Sequence, residues 1–145
     1  MSVLLNSGHP LSPEAQALLK KVIRDSGDSN ELVLVQYPTH VDFSHPVAPQ
    51  VSEMVTQAGK QLEKISGGSS LEETSRIYFI TPGVSDVAVM QVVELFGRTG
   101  GLPSLILARR DRLKGGFIPY AVIHLEDVRA KSRGYRSAIP IVTRL

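Results

Sequence analysis

The chain has 145 residues, of which 42% are hydrophobic and 21% are charged, and its formal net charge is +2. This composition is typical of a folded protein with one buried core, and it excludes a disordered chain. Because the chain has no cysteine, neither a disulfide framework nor a thiolate metal site is possible, which fits a reducing cytoplasm. No apolar run approaches the ~18 residues of a membrane span, so we expect neither a signal peptide nor a membrane partner.

Positive charge is concentrated in the last third of the chain. Residues 1–97 contain 6 Lys and Arg against 11 Asp and Glu, whereas residues 98–145 contain 10 against 3. This division indicates either an anionic partner that contacts one region or an ordinary solvated basic face.

The chain begins with a pattern typical of a strand, a tight turn and a helix. Residues 3–5 are a continuous apolar run, which predicts a buried strand. The small residues 6–8 allow a sharp bend and bring backbone N–H groups close to a ligand. Ser12 suits the N-cap of a helix over residues 13–26, with Pro13 at its first position.

A second strand and helix repeat this pattern. Residues 32–37 are predicted to form a buried strand, and His-Pro-Val-Ala-Pro at residues 45–49 echoes His-Pro-Leu-Ser-Pro at residues 9–13. Pro49 is therefore expected to open the second helix as Pro13 opens the first. The apolar residues of that helix recur at helical spacing, namely Val51, Met54, Val55, Ala58, Leu62 and Ile65.

A third strand is predicted over residues 77–80, followed by a turn at residues 81–84. Ser85 is expected to be the N-cap of a helix over residues 86–96, which Gly97 ends. This helix is apolar nearly all round, so we expect it to be covered on several sides. Either it lies at the centre of the domain or it packs against a second subunit.

The C-terminal third predicts a hairpin and a short helix. Residues 104–108 and 120–125 are strands separated by a turn at residues 109–116, and they are expected to pair antiparallel. A short helix is predicted over residues 126–133. Residues 134–145 form a basic tail to which the pattern assigns no structure.

This alternation predicts an α/β, Rossmann-like three-layer domain over residues 1–133. Its sheet would be mainly parallel, with about five strands and the antiparallel C-terminal hairpin. The turns that follow the first four strands then share the carboxyl edge of the sheet, where open α/β sheets bind ligands. We call this edge the rim, made of residues 6–10, 38–46, 81–85 and 109–114. Three helix N-termini and four basic side chains at the rim favour a phosphate-bearing ligand.

The predicted ligand-binding residues all belong to the rim. They are Asn6, Ser7, Gly8, His9, His45, Thr81, Pro82, Gly83, Ser85, Arg109, Arg110 and Arg112. Each pattern also has an interpretation without a ligand, because residues 6–9 suit a capped turn and the basic cluster suits a solvated hairpin tip. Long duplex nucleic acid and stacked single strands are disfavoured, since the rim is narrow and only 6% of the residues are aromatic.

Imidazole is the side chain that titrates nearest to neutral pH, so His9 and His45 are the candidate catalytic residues. The alternative to a catalytic role is that each histidine, which stands directly before a proline in a turn, makes a structural hydrogen bond. No third ligand accompanies them at a motif spacing, and we therefore predict neither a metal nor a cofactor. No nucleophile elbow or paired-carboxylate motif is present. His124, in a strand, and Arg98, after the third helix, are predicted to be structural.

Four segments together resemble a small family of accessory proteins of type III CRISPR systems that is grouped with the ring nucleases. They are residues 4–13, 45–51, 81–83 and 95–100, and the resemblance covers most of residues 3–128. It implies a Rossmann-like homodimer or larger oligomer that handles cyclic oligoadenylate, with cyclic tetra-adenylate favoured. Removal of this second messenger would switch the antiviral defence off. A two-fold dimer with matching turns from each subunit would suit the symmetric ring.

The resemblance leaves two mechanisms open. In the first, the protein cleaves the ring without a metal by aligning a ribose 2′-hydroxyl with the adjacent phosphate, which leaves a 2′,3′-cyclic phosphate end. His9 or His45 would then act as acid or base. In the second, the protein sequesters the ring. Since the sequence shows no unambiguous catalytic group, we expect binding with slow or absent cleavage. A hypothesis independent of the resemblance is a nucleotide-sensing or interaction domain for another phosphorylated ligand.

Overall fold

In the computed structural model, which describes residues 1–138, strands and helices alternate along the chain. The strands are β1 (Ser2–Asn6), β2 (Leu32–Gln36), β3 (Arg76–Ile80), β4 (Ser104–Arg110) and β5 (Phe117–His124). The helices are α1 (Pro13–Asp25), α2 (Val47–Ser66), α3 (Ser85–Thr99) and α4 (Leu125–Gly134), and short 3-10 helices occupy Leu71–Glu73 and Tyr135–Ala138. No helix in this part of the chain is long and apolar enough to cross a membrane.

The five strands form one mixed sheet in the order β2-β1-β3-β4-β5. The first four strands are parallel, and β5 pairs antiparallel with β4. The predicted α/β, Rossmann-like three-layer architecture with an antiparallel C-terminal hairpin is therefore confirmed. The predicted basic tail begins at the last residue of α4, and residues 139–145 lie outside the described part of the chain.

Two hydrophobic clusters form the core, one on each face of the sheet. Successive residues of a strand point to opposite faces, so Leu4 packs with Leu19 and Ile23 of α1, whereas Val3 and Leu5 face the other helices. The second cluster includes the buried apolar residues Val51, Val55, Ala58 and Leu62 of α2 with Val87 and Leu95 of α3. The sheet thus lies between α1 on one side and the α2–α3 pair on the other.

The strand order creates a switch point between β1 and β3. From β1 the chain crosses to β2 on one side, and from β2 it returns past β1 to β3 on the other. The turns that follow β1 and β3 lead to helices on opposite faces of the sheet, and this is the position at which open α/β sheets form a ligand-binding crevice at their carboxyl edge. This crevice is the centre of the predicted rim.

Two predicted helix starts are wrong. α2 begins at Val47, with Pro46 as its N-cap, so Pro49 is the third helical residue and not the first. The helix tolerates this proline because the first four N–H groups of a helix have no intrahelical partner. The N-cap of α3 is Val84, which places Ser85 at the first helical position instead of the cap.

Two predicted ends are also wrong. α3 continues through Gly97 to Thr99, and Gly100, with φ of 77°, takes the left-handed position that ends it. β4 continues through Arg109 and Arg110, which the sequence had placed in a turn, because its antiparallel partner extends the pairing to Arg110. Pairing across a ladder extends a strand beyond its apolar run.

Candidate ligand-binding rim

Asn6 closes the turn after β1 and is fully buried. Its amide nitrogen donates to the carbonyl oxygen of His9 at 2.9 Å and to Oε1 of Gln36 at 2.6 Å. Its Oδ1 accepts the backbone N–H of Gly8 at 2.9 Å, which makes an Asx-type turn. The side chain of Asn6 is therefore engaged within the fold and shapes the turn.

Ser7 joins three parts of the rim and is also buried. Its hydroxyl donates to the carbonyl oxygen of Ile80 at 2.9 Å, and its backbone N–H bonds the same oxygen at 3.2 Å. Its own carbonyl oxygen accepts from Oγ1 of Thr39 at 2.8 Å. Ser7 thus holds the ends of β1 and β3 to the connection that follows β2.

Gly8 brings the two crevice turns into contact. A β-carbon placed on Gly8 would lie 3.2 Å from the carbonyl oxygen of Thr81, closer than an ordinary van der Waals contact. Of the predicted residues in the second turn, Pro82 is buried, whereas Thr81, Gly83 and Ser85 are exposed. Direct ligand contact in the crevice is therefore open to backbone groups and to these exposed residues.

A buried polar pair lies beneath the rim, and the sequence reasoning missed it. The hydroxyl of Tyr37 donates to Oε1 of Gln91 at 2.6 Å, and both side chains are buried. Burial raises the pKa of the Tyr37 phenol far above its usual value, although the Ser7 hydroxyl opposes this effect. Nε2 of Gln91 has no hydrogen-bond partner among the described residues. One polar amide on the inner side of an apolar helix was the available signal.

The β4–β5 hairpin projects past the rim. β3 pairs with β4 only as far as Phe79 and Leu105, whereas the β4–β5 pairing continues to Arg110 and Phe117. The β4–β5 hairpin, which we also call the ribbon, therefore extends four residues, or about 13 Å at ~3.3 Å per residue, beyond the end of β3. Its turn is held by Asp111, whose Oδ1 accepts two backbone N–H groups.

Phe117 connects this hairpin to the turn after β1. Its ring lies parallel to that of His9, with an interplanar angle of 7° and a centroid distance of 5.9 Å. Phe117 is 49% exposed and His9 is exposed as well. Sequence reasoning missed this aromatic contact because the two residues are 108 positions apart.

The two strand arginines lie on opposite faces of the ribbon, because neighbouring strand residues alternate. Arg110 is directly opposite Phe117, so it shares the face that contacts His9. The guanidinium of Arg109 lies 5.7 Å from the centroid of the Tyr120 ring, on the other face. Arg112 is exposed in the turn.

His45 is held by its own loop. Its Nδ1 lies 2.8 Å from Oδ2 of Asp42 and 3.1 Å from Oγ of Ser44. Hydrogen bonds from the hydroxyl and backbone N–H of Ser44, and then from His45, hold the pKa of Asp42 below its usual value. In the described part of the chain, no hydrogen bond or ring contact joins His45 to His9.

The three helices that begin at the rim differ in their capping. Ser12 caps α1 by accepting the backbone N–H of Ala15 at 3.1 Å, which confirms the prediction. The N-cap residues Pro46 of α2 and Val84 of α3 make no side-chain capping bond. Their first-turn N–H groups therefore lack a capping side chain, and they carry the positive end of each helix dipole.

The residues predicted to be structural have structural contacts. Arg98 donates to Glu94 at 3.0 Å, to Oγ1 of Thr56 at 2.9 Å and to the carbonyl oxygen of Ser52 at 2.8 Å, so it joins α2 to α3. Nδ1 of His124 lies 2.7 Å from Oγ of Ser104, at the opposite edge of the sheet from the rim.

Within residues 1–138, no group of three or more His, Asp or Glu side chains is arranged to hold a metal ion. The chain matches no family model, no curated protein and no solved structure.

Proposed function

We propose that this protein binds a cyclic oligoadenylate at the rim, with cyclic tetra-adenylate favoured, and damps type III CRISPR signalling by sequestering it. The observation that carries this proposal is the grouping of His9, Phe117 and Arg110 beside the crevice between β1 and β3. An arginine and an exposed aromatic ring on one face match the phosphate and the base of a nucleotide. The proposal carries with it a cytoplasmic location, where this messenger is made.

The phosphates and bases of the ring would meet different parts of the rim. The first-turn N–H groups of α3 and the guanidinium of Arg110 provide donors for phosphate oxygens. The exposed ring of Phe117 provides a face on which adenine stacks, and such stacking contributes about 1–3 kcal/mol per base. Asn6 and Ser7 would act through the shape of their turn, because their side chains are buried.

The surroundings of His9 favour sequestration over cleavage by that residue. A general base needs a group that orients its ring beside the reacting hydroxyl. No hydrogen bond to the ring of His9 is present in the described part of the chain, and this ring stacks on Phe117. Asp42 does orient His45, so slow metal-independent cleavage through His45 is the second candidate.

The first experiment is incubation of excess protein with radiolabelled cyclic tetra-adenylate in EDTA, analysed on native and denaturing gels. We expect a shifted band that contains intact ring. Linear products that disappear in His45→Ala would establish the cleavage mechanism. No shift with any cyclic oligoadenylate, together with thermal stabilisation by a mononucleotide or dinucleotide, would establish a sensor of another phosphorylated ligand instead.

Two matched variants test the position of the site. Phe117→Ala removes the ring beside His9, whereas Tyr135→Ala removes an exposed ring outside the rim. Since stacking contributes about 1–3 kcal/mol per base, Phe117→Ala should weaken binding by on the order of tenfold or more. Tyr135→Ala should bind as the wild type does. Equal affinities for all three proteins would refute a stacking role for Phe117.

A further inference from the structure

Gln91 places a polar amide on the inner face of α3. Val87 and Leu95, one turn before it and one turn after it, are buried on the same face and belong to the core. Gln91 is itself 0% exposed, and its Nε2 atom has no hydrogen-bond partner among the described residues. Burial of an unpaired donor lowers stability, whereas an apolar side chain would suit this position. An unpaired buried group of this kind calls for a reason other than packing.

The oxygen of the Gln91 amide is bound to Tyr37. Oε1 of Gln91 accepts from the phenol hydroxyl of Tyr37 at 2.6 Å. Because helix side chains point toward the helix N-terminus and α3 begins at the rim, the Gln91 amide is directed toward the rim. The hydrogen bond therefore ties the second turn of α3 to the residue that follows β2.

Tyr37 contacts the turn after β1 at two points. Its backbone N–H bonds the carbonyl oxygen of Asn6 at 3.3 Å. Burial raises the pKa of its phenol, and the nearby hydroxyl of Ser7 opposes this effect. Ser7 in turn bonds the carbonyl oxygen of Ile80 at the end of β3. Gln91, Tyr37 and Ser7 thus form one polar chain from α3 to the turn after β1.

This polar chain joins the two walls of the crevice. One wall is the start of α3, whose first-turn N–H groups have no capping side chain. The other wall is the turn at residues 6–8, which the Asn6 side chain shapes. Hydrogen bonds weaken steeply outside a narrow range of distance and angle, so the relative position of the two walls decides whether both can meet one ligand.

We infer that Gln91 is a positioning residue for the ligand site, which acts through Tyr37 and Ser7 to fix the start of α3 against the turn after β1. Gln91 and Tyr37 are buried and do not touch the ligand. A crevice that is already ordered loses less conformational entropy when a ligand binds. The effect on affinity rests on the proposed function, whereas the ordering of the turn requires no ligand.

A double variant separates positioning from stability. Tyr37→Phe combined with Gln91→Leu replaces both polar partners by apolar groups of similar shape, a change that is usually close to neutral or stabilising. We expect its urea midpoint to be no lower than that of the wild type, and its Kd for cyclic tetra-adenylate to rise by about fivefold or more. An unchanged Kd would overturn the inference. A loss of stability together with affinity would also overturn it, because the pair would then have a general structural role.

The matched control is Ser104→Ala. It removes the hydrogen bond to His124 at the opposite edge of the sheet. This variant should bind the ring as the wild type does, whatever its stability. A Kd raised as much as in the double variant would show that any lost internal hydrogen bond weakens binding, which would overturn a specific role for Gln91.

Hydrogen exchange of the unliganded chain tests the ordering of the turn without a nucleotide. The backbone N–H groups of Ser7 and Gly8 bond Ile80 and Asn6 at the crevice. We expect both to exchange about threefold faster or more in the double variant, with the N–H of Leu4 in β1 as the internal reference. Unchanged exchange would overturn the inference. Faster exchange in a protein that binds no cyclic oligoadenylate would refute the proposed function and still establish that Gln91 and Tyr37 order the turn.

Discussion

Asp28 is a nearly buried carboxylate held by four hydrogen bonds. Oδ2 accepts from the hydroxyls of Ser2 and Tyr78 at 2.6 and 2.8 Å. Oδ1 accepts from the backbone N–H and side-chain amide of Asn30 at 2.9 and 2.8 Å. Desolvation by burial raises the pKa of Asp28, but these donors outweigh it and lower the pKa below its usual 3.8. The ionised carboxylate therefore ties β1 and β3 to the loop before β2.

Replacement of the Asp28 carboxylate should make the free energy of unfolding depend less on pH in the acidic range. A lowered pKa in the folded state contributes stability that is present above the usual pKa and is lost as the pH falls through the folded value. We expect Asp28→Asn to lower the free energy of unfolding by about 1–3 kcal/mol at pH 7, and the difference from wild type to narrow below pH ~4. Urea unfolding at several pH values measures this, with Asp25→Asn, an exposed partner of Lys21, as the control. A difference that stays constant down to pH ~2 would contradict the assignment.

Two glycines of the rim should respond differently to substitution. Gly8→Ala places a β-carbon 3.2 Å from the backbone oxygen of Thr81, which must move, whereas a β-carbon on Gly83 meets nothing within 4 Å. Overpacking of this kind costs about 1–3 kcal/mol. We expect Gly8→Ala to lower the melting temperature and to weaken ring binding, with Gly83→Ala close to wild type in stability. Equal melting temperatures for the two variants would mean that the backbone of Thr81 moves away from residue 8 without a loss of stability.

In the β4–β5 hairpin, the face on which an arginine lies decides whether its charge is near the predicted site. Arg109 and Arg110 are adjacent in sequence, yet only Arg110 shares the face of Phe117 and His9. Arg109 lies over Tyr120 on the other face. A basic cluster in the sequence thus becomes two separate surfaces once the strand alternates.

Charge reversal at each position tests this division. We expect Arg110→Glu to weaken binding of cyclic tetra-adenylate by on the order of tenfold or more, since it places a carboxylate beside a phosphate. Arg109→Glu changes the net charge equally and should have a distinctly smaller effect. Fluorescence anisotropy with a labelled ring measures both. Equal losses would indicate general electrostatic attraction without a defined phosphate contact.

Across the whole molecule, the basic side chains of the last third of the chain lie in two separate regions, the β4–β5 hairpin and α4. β5 returns from the hairpin at the rim and ends opposite Ser104 at the other edge of the sheet, where α4 begins. The backbone N–H of Leu102 and then the charges of Arg129 and Arg133 hold the pKa of Glu126 below its usual value, so these charges of α4 lie near the edge away from the rim. The division of charge in the sequence does not correspond to one binding surface.

The charges of α4 should accordingly contribute little to binding at the rim. Over distances beyond the Debye length of ~10 Å at 0.1 M salt, exposed charges are largely screened. We expect Lys131→Glu combined with Arg133→Glu to leave affinity within about threefold of wild type at that ionic strength, whereas Arg110→Glu with Arg112→Glu should lower it strongly. If the α4 variant lost as much affinity as the hairpin variant, the ligand would extend to the other edge of the sheet.

Rules read from the sequence predict contacts only between residues that are close together along the chain. Ser12 and Pro13 could be assigned as cap and first helical residue because capping depends on neighbours within one turn. Ser85 and Gly97 fit the same rules, but their neighbours Val84 and Gly100 take the two end positions of α3. The contact of His9 with Phe117, and the pairing of Tyr37 with Gln91, join residues too distant for any local rule.

By itself the sequence determined the order of strands and helices along the chain, the mainly parallel sheet and the edge of the sheet at which the turns meet. Apolar periodicity and the right-handed crossover depend only on local geometry and chain connectivity, so they can be read without coordinates. Only the tertiary structure decided that Asn6 and Ser7 are buried, that Arg110 and not Arg109 joins Phe117, and that Val89 and Val93 lie exposed. These properties depend on which distant atoms come to surround a side chain, and that is settled only when the layers pack.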